Sequence, residues 1–507
     1  MRMVPQRAAV SAFPADPRPG VLPGRGRPVG AGRAAADGWD GAQTLPLRGL
    51  RWNLVFIGLL LYTFAVVTYR LPLGTAGMVL GLLALPFGAP VRMTPLLAWF
   101  GAFLGWAALS AYSSGDPAAA GDAVIEMAKL WIVVLVAWNA LRTRRLLQVF
   151  LAFLLLCFAV YPVRGAIFNF VFYGHATFGR AIWNHIYANP NDLAALTLLQ
   201  LGTAGAIFAT ERHRLVRFGA MASLVVLPIL ILMTQSRGAL LALALFGLLS
   251  LRGSRRKLRN IGLLAALCAA VIMIAPNDVW TRASGLLQVE SAEDLEKADP
   301  EQSAKSRYEI LKVAVRITRD HPIWGVGLDR YAVTHADYTS LEPITATARG
   351  KADTHNTYLN VAAETGLPGL GLFLGMIAFV LLRAERTRRR LASRRPRDAT
   401  ALWMMELGLV AYLAAGLFGS FGRLTHLYMY MVLILAMAET ALLAASAAVP
   451  RARRQNLARL RRKVPFTGRR AHGGAAFDPA GARSGRTGDP PLGREIGPGR
   501  GAALGTG

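Results

Sequence analysis

The chain has 507 residues, 54% of them apolar, yet 57 Lys and Arg against 29 Asp and Glu leave a formal net charge of +28. A mean hydropathy of +0.37 beside that charge excludes an ordinary water-soluble globule and requires basic and apolar residues to be segregated along the chain. The two cysteines, Cys157 and Cys268, both fall in apolar runs, which excludes a disulfide framework or a thiolate metal site.

Residues 1–48 are rich in Pro, Gly, Ala and Arg, lack the apolar core of a signal peptide, and read as a disordered basic tail. Apolar runs near the ~20 residues that cross a bilayer then recur. They fall near 53–69, 73–89, 94–112, 124–141, 146–170, 191–211, 217–235, 238–252 and 260–276, within 49–276. Three more, near 357–383, 400–420 and 425–446, follow a long polar loop, 277–356. The predicted fold is an all-α integral membrane protein of about twelve transmembrane helices, with a helical subdomain in that loop. Residues 447–507 read as a second disordered basic tail; its opening Arg451-Ala452-Arg453-Arg454 suits anionic lipid headgroups rather than nucleic acid. No internal repeat, phosphate-binding loop or dinucleotide fingerprint is present.

Orientation follows from the basic residues. With twelve spans and a cytoplasmic N-terminus, the Arg-rich connections 142–145, 211–214, 252–259 and 383–397 all lie inside, as the positive-inside rule requires. The connections 113–123, 171–190 and 277–354 are poorer in Lys and Arg and lie outside, and both termini are cytoplasmic.

Four polar constellations then collect on the external side. In chain order, the first is the loop 173–192, with His175, Arg180, His185 and the helix-start signal Asn189-Pro190-Asn191-Asp192, in which Asn191 and Asp192 are expected to cap the next helix. Arg164, near the end of the preceding span, faces the same side. The second is Thr234-Gln235-Ser236-Arg237-Gly238, where an arginine interrupts two apolar spans. Such a residue either snorkels to the headgroups or grips an anion through its planar fork. The third lies in the 277–356 loop: an acidic stretch, 290–301, an amphipathic helix over 303–319 carrying Arg307 and expected to lie apolar face down on the membrane, and the turn His321-Pro322-Ile323-Trp324-Gly325-Val326-Gly327. The fourth is His355-Asn356, followed by Glu364-Thr365-Gly366-Leu367-Pro368-Gly369, which sets an ionisable imidazole at the mouth of the bundle.

Ser236-Arg237-Gly238 heading an apolar helix, Asn189-Pro190-Asn191-Asp192, His321-Pro322 with Gly325-Val326-Gly327, and His355-Asn356 with Gly366-Leu367-Pro368-Gly369 stand in this order across roughly 160–385. In this the sequence resembles the O-antigen ligase and polymerase family of bacterial polysaccharide enzymes. The resemblance implies a helical, GT-C-like membrane glycosyltransferase of the bacterial inner membrane with its active site in the periplasm. Such an enzyme moves a glycan from an undecaprenyl-diphosphate carrier to lipid A-core, a growing glycan or a protein. It implies His355 as the group that activates the acceptor hydroxyl and Arg237 as a diphosphate ligand, with Arg164, Arg180 or Arg307 completing the clamp and Asn356, Asn191 and Gly366 supporting. Neither cofactor nor metal is expected, because the diphosphate is already a good leaving group that cationic side chains can stabilise. The competing reading is a transporter or flippase using the intramembrane Glu126, Lys129, Glu406 and Glu439.

Overall fold

The computed structural model describes residues 53–252 and 303–463, apart from 88, 174, 175, 178 and 341–343. The predicted span 260–276, Cys268, the acidic stretch 290–301, His175 and the tails 1–48 and 464–507 lie outside the described residues. The regular secondary structure described is helical, save for a short hairpin pairing Ala176–Thr177 with Arg180–Ala181.

Helix starts follow the local chemistry of the chain. Asn53, Thr94, Asp116, Thr143 and Asn356 each accept a backbone N–H of the first turn, and Pro95, Pro117, Pro190 and Pro396 occupy first-turn positions whose donors would otherwise be orphaned. Capping also moves two expected boundaries. The span expected from 124 is the helix Pro117–Ala140, because Asp116 and Pro117 start it a turn and more earlier. Before Pro190–Thr210 the capping side chain is Asn189, which accepts from the Asn191 N–H; Asn191 is not the cap.

Among the described residues seven helices are long and apolar enough to cross a membrane: Pro95–Tyr112, Arg144–Val171, Pro190–Thr210, Arg214–Met233, Thr357–Leu391, Pro396–Ala415 and Thr425–Ser446. Leu54–Thr68 and Gly74–Phe87 are shorter apolar helices, and Arg237–Arg252 is a helix of sixteen residues. The helix beginning at Thr425 continues to Lys463, past residue 446 where the sequence reading starts a disordered tail. Within residues 1–449, Pro190–Thr210 is the central rod, with 83% of its apolar window buried, whereas Arg214–Met233 is peripheral at 28%. The rod packs on Pro396–Ala415, and Gly202 meets Gly408 so closely that a Cβ on Gly202 would come within 2.7 Å of the Met404 carbonyl. Such small-residue crossings let membrane helices gain dispersion contacts that lipid would otherwise provide. Outward, Leu83, Leu156, Leu215, Phe218 and Leu248 are exposed, an apolar exterior that suits a bilayer rather than water.

In the described part of the polar segment before Thr357, the amphipathic helix Ser303–Asp320 forms but is not free to lie on a membrane. Val313, Ala314 and Ile317 are buried against Val326, Tyr331 and Ala363, so the apolar face is already occupied by protein.

Candidate functional site

The His355 motif is held by a loop that sequence reading passes over, Gly416 to Leu424. The Thr357 N–H donates to the Gly416 carbonyl (2.8 Å) and its hydroxyl to that of Gly419 (2.7 Å), while the Phe421 N–H donates to that hydroxyl (2.8 Å). The Thr354 and Ser420 hydroxyls lie 2.7 Å apart, and the Asn356 amide donates to the Leu417 carbonyl while its Oδ1 caps the helix through Tyr358 and Leu359. Asn356 thus joins the helix start to the loop.

The two glycine-containing motifs form one unit. The Val326 and Gly327 N–H groups donate to the carbonyls of Ala363 and Glu364, and the Leu367 N–H to that of Pro322. These bonds need an open helix strand, and Gly366 opens it: with φ 70° and ψ 179° it breaks the Thr357–Leu391 helix in a conformation open chiefly to glycine. A Cβ there would sit 2.0 Å from the Ile323 carbonyl oxygen. Gly366→Ala is therefore expected to cost on the order of 1–3 kcal/mol. That should show as a lower unfolding midpoint in detergent; an unchanged midpoint would mean the two segments do not interlock.

His355 itself has φ 49°, unusual for a residue with a Cβ. Of the five non-glycine residues with positive φ among the described residues, four (His185, Gln235, Asp329 and His355) lie in the four constellations picked out by sequence. Strain of this kind persists only where surrounding contacts enforce it. The His355 Nδ1 lies 3.6 Å from Asp353 Oδ2. Burial lowers its pKa, Asp353 opposes that, and the nearby positive charge of Arg307 adds to the lowering. The balance favours the neutral imidazole, with a carboxylate in place for the imidazolium it would become.

Arg423, at the end of the 416–424 loop, pairs with Asp329 at 2.5 Å and faces Glu364 and Asp353. Burial alone would lower its pKa, but those carboxylates outweigh it and raise it. Asp192 is close enough to Asp353 for the two carboxylates to repel, which brings the Asn-Pro-Asn-Asp loop to the same place. Arg423 was not among the candidates read from sequence. The cluster Gly416, Gly419, Gly422 and Arg423 between two apolar spans is the signal that could have found the loop.

The remaining arginines divide. Arg237 is exposed at the head of its helix, beside Gly238, whose added Cβ would come within 2.6 Å of Phe418 on the same loop; among the described residues Arg237 makes no hydrogen bond or ion pair. Arg180 is engaged in structure: Nε donates to the Thr234 carbonyl (2.7 Å) and Nη2 to Asn191 Oδ1 (2.9 Å), tying two constellations together. Arg164 lies over the Phe168 ring at 4.7 Å, exposed, and is not brought to His355 by any of these contacts. Among the described residues no group of three or more His, Cys, Asp or Glu could hold a metal ion. The intramembrane carboxylates invoked for transport are each paired: Glu439 with Arg92 (2.6 Å), Glu126 with Lys129 (2.5 Å) and Glu406 with Arg388 (3.6 Å).

Residues 222–374 match a family model described as O-antigen ligase, and no curated protein matches the chain. The matched segment contains Arg237, Arg307, His355, Asn356 and Gly366, and leaves Arg164, Arg180 and Asn191 outside it. The resemblance read from short motifs therefore holds over this segment. Together with the seven helices among the described residues that are long and apolar enough to cross a membrane, it supports a multi-pass membrane protein with a role in glycan transfer.

Proposed function

We propose that a chain carrying the O-antigen ligase segment at 222–374 transfers a glycan from undecaprenyl diphosphate to an acceptor hydroxyl on the periplasmic face of the bacterial inner membrane. The observation that carries this reading is the convergence of His355, Asp353, Arg307 and Arg423 at one end of an apolar helical bundle, where Gly238, next to Arg237, packs on Phe418 of the 416–424 loop. In the reaction an imidazole nitrogen of His355 takes the acceptor proton and the acceptor oxygen attacks the anomeric carbon. The bond from that carbon to the diphosphate breaks, and undecaprenyl diphosphate departs with its electron pair. Asp353 stabilises the imidazolium, and arginine side chains stabilise the charge growing on the diphosphate, so no metal is required.

Twelve spans with both termini cytoplasmic complete the proposal. A cysteine placed within 320–354 is expected to react with an impermeant thiol reagent in cells with a permeabilised outer membrane, and one placed within 385–397 is not; the opposite labelling would move the site to the cytoplasm. The acceptor is tested by extracting lipid-linked intermediates from a deletion strain. Carrier-linked polymer beside a bare acceptor is the expected result. Single repeat units on the carrier would instead mean a polymerase, an unglycosylated protein a protein O-oligosaccharyltransferase, and unchanged glycans a transporter.

A further inference from the structure

The end of the bundle opposite His355 holds a cleft of about 600 Å³ where Thr357–Leu391, Pro396–Ala415 and the end of Arg237–Arg252 meet. One wall is apolar, formed by Leu381, Leu382 and Val410, and Leu382 is 54% exposed, so this wall reaches the outer surface of the bundle. The other wall is charged. Glu385 accepts from both Arg388 (2.7 Å) and Arg389 (2.5 Å), and Arg388 lies 4.6 Å over the Trp403 ring. Arg252 makes no ion pair among the described residues. Three arginines against Glu385 and Glu406 leave the cleft one positive charge in excess.

Two polar atoms of this wall are buried without a partner, Glu406 Oε1 and Trp403 Nε1, and Glu406 as a whole is 4% exposed. A buried acceptor and a buried donor left unmatched in the same cleft call for a ligand that carries both complements. An anion answers the excess charge, a hydroxyl answers Glu406, and acyl chains answer the leucines.

We propose that this cleft binds an anionic glycerophospholipid with a hydroxyl-bearing headgroup, of which phosphatidylglycerol is the simplest. Its phosphate sits between Arg252 and the Arg388–Arg389 pair, the headgroup hydroxyl donates to Glu406 Oε1, and the Trp403 Nε1–H donates to a phosphate or ester oxygen. Basic pockets between membrane helices hold anionic headgroups on this principle.

Native mass spectrometry of the purified, lipid-depleted protein with equal amounts of phosphatidylglycerol, phosphatidylethanolamine and phosphatidylcholine tests it. Phosphatidylglycerol should be retained preferentially. Arg252→Gln, at an exposed position with no hydrogen bond or ion pair among the described residues, should weaken that retention about fivefold, as expected for one surface arginine. Glycerol phosphate without acyl chains should not displace the lipid. Equal retention of the three lipids, retention unchanged in Arg252→Gln, or displacement by glycerol phosphate would each overturn the assignment.

Discussion

His355→Ala is expected to abolish detectable glycan transfer in cells while leaving expression and unfolding midpoint near those of the wild type. The effect should be large because general-base assistance is typically worth ~10²–10⁴ in rate. The fold should survive because His355 is held through its backbone neighbours, Thr354, Asn356 and Thr357, rather than through its ring. The pH profile gives a second readout. A base must be unprotonated to act, so activity is present above the imidazole pKa and falls as pH drops through it. Burial and Arg307 lower that pKa from its ordinary value, so the acid limb should lie below the ~6.5 of a free imidazole. Asp353→Asn removes the carboxylate that opposes the lowering, and should shift the limb further to acid while reducing the maximum rate. Chelators should have no effect. An active His355→Ala variant, or activity lost with EDTA and restored by a divalent ion, would sink the mechanism and turn attention to Asp353, Glu364 and Asp329 as ligands.

Many of the helices were legible in the sequence because they follow long apolar runs and several begin at a capping Asn, Asp or Thr or at a proline, both of which are local signals. Asn189, Asp116 and Pro117 show the limit: several polar residues near a helix start compete for the cap, and backbone geometry decides among them. The face of Ser303–Asp320 was legible as apolar, but whether that face meets lipid or protein depends on Val326, Tyr331 and Ala363, which are distant in sequence. The site was half legible for the same reason. Arg237, Arg307 and His355 stand out because charge is costly beside apolar spans. Arg423 and Asp329 are separated by more than ninety residues and look unremarkable until the 416–424 loop folds under the His355 motif and pairs them at 2.5 Å. Likewise Gly325, Gly327 and Gly366 read as separate turns, although their backbones form one interlocked structure.

Arg237→Lys should reduce transfer by roughly 10²–10³ while the protein inserts and unfolds as the wild type does, a magnitude expected when one preorganised donor to developing charge is lost. The reason lies in what the residue does not do. Arg237 is exposed and makes no hydrogen bond or ion pair among the described residues, so its guanidinium carries no structural duty that lysine would fail to perform. It stands at the first turn of Arg237–Arg252, where unpaired backbone donors favour an anion, and its neighbour Gly238 packs on Phe418 of the loop that positions His355. Lysine keeps the charge but loses the planar fork that binds two phosphate oxygens at once. Arg180→Lys is the informative contrast. Its Nε and Nη2 bond to the Thr234 carbonyl and to Asn191, so lysine cannot keep both bonds and the unfolding midpoint should fall along with activity. Near-normal transfer by Arg237→Lys would mean that a point charge suffices at this position, as for an arginine that snorkels to the headgroups, and the diphosphate would then have to be held by Arg307 and Arg423.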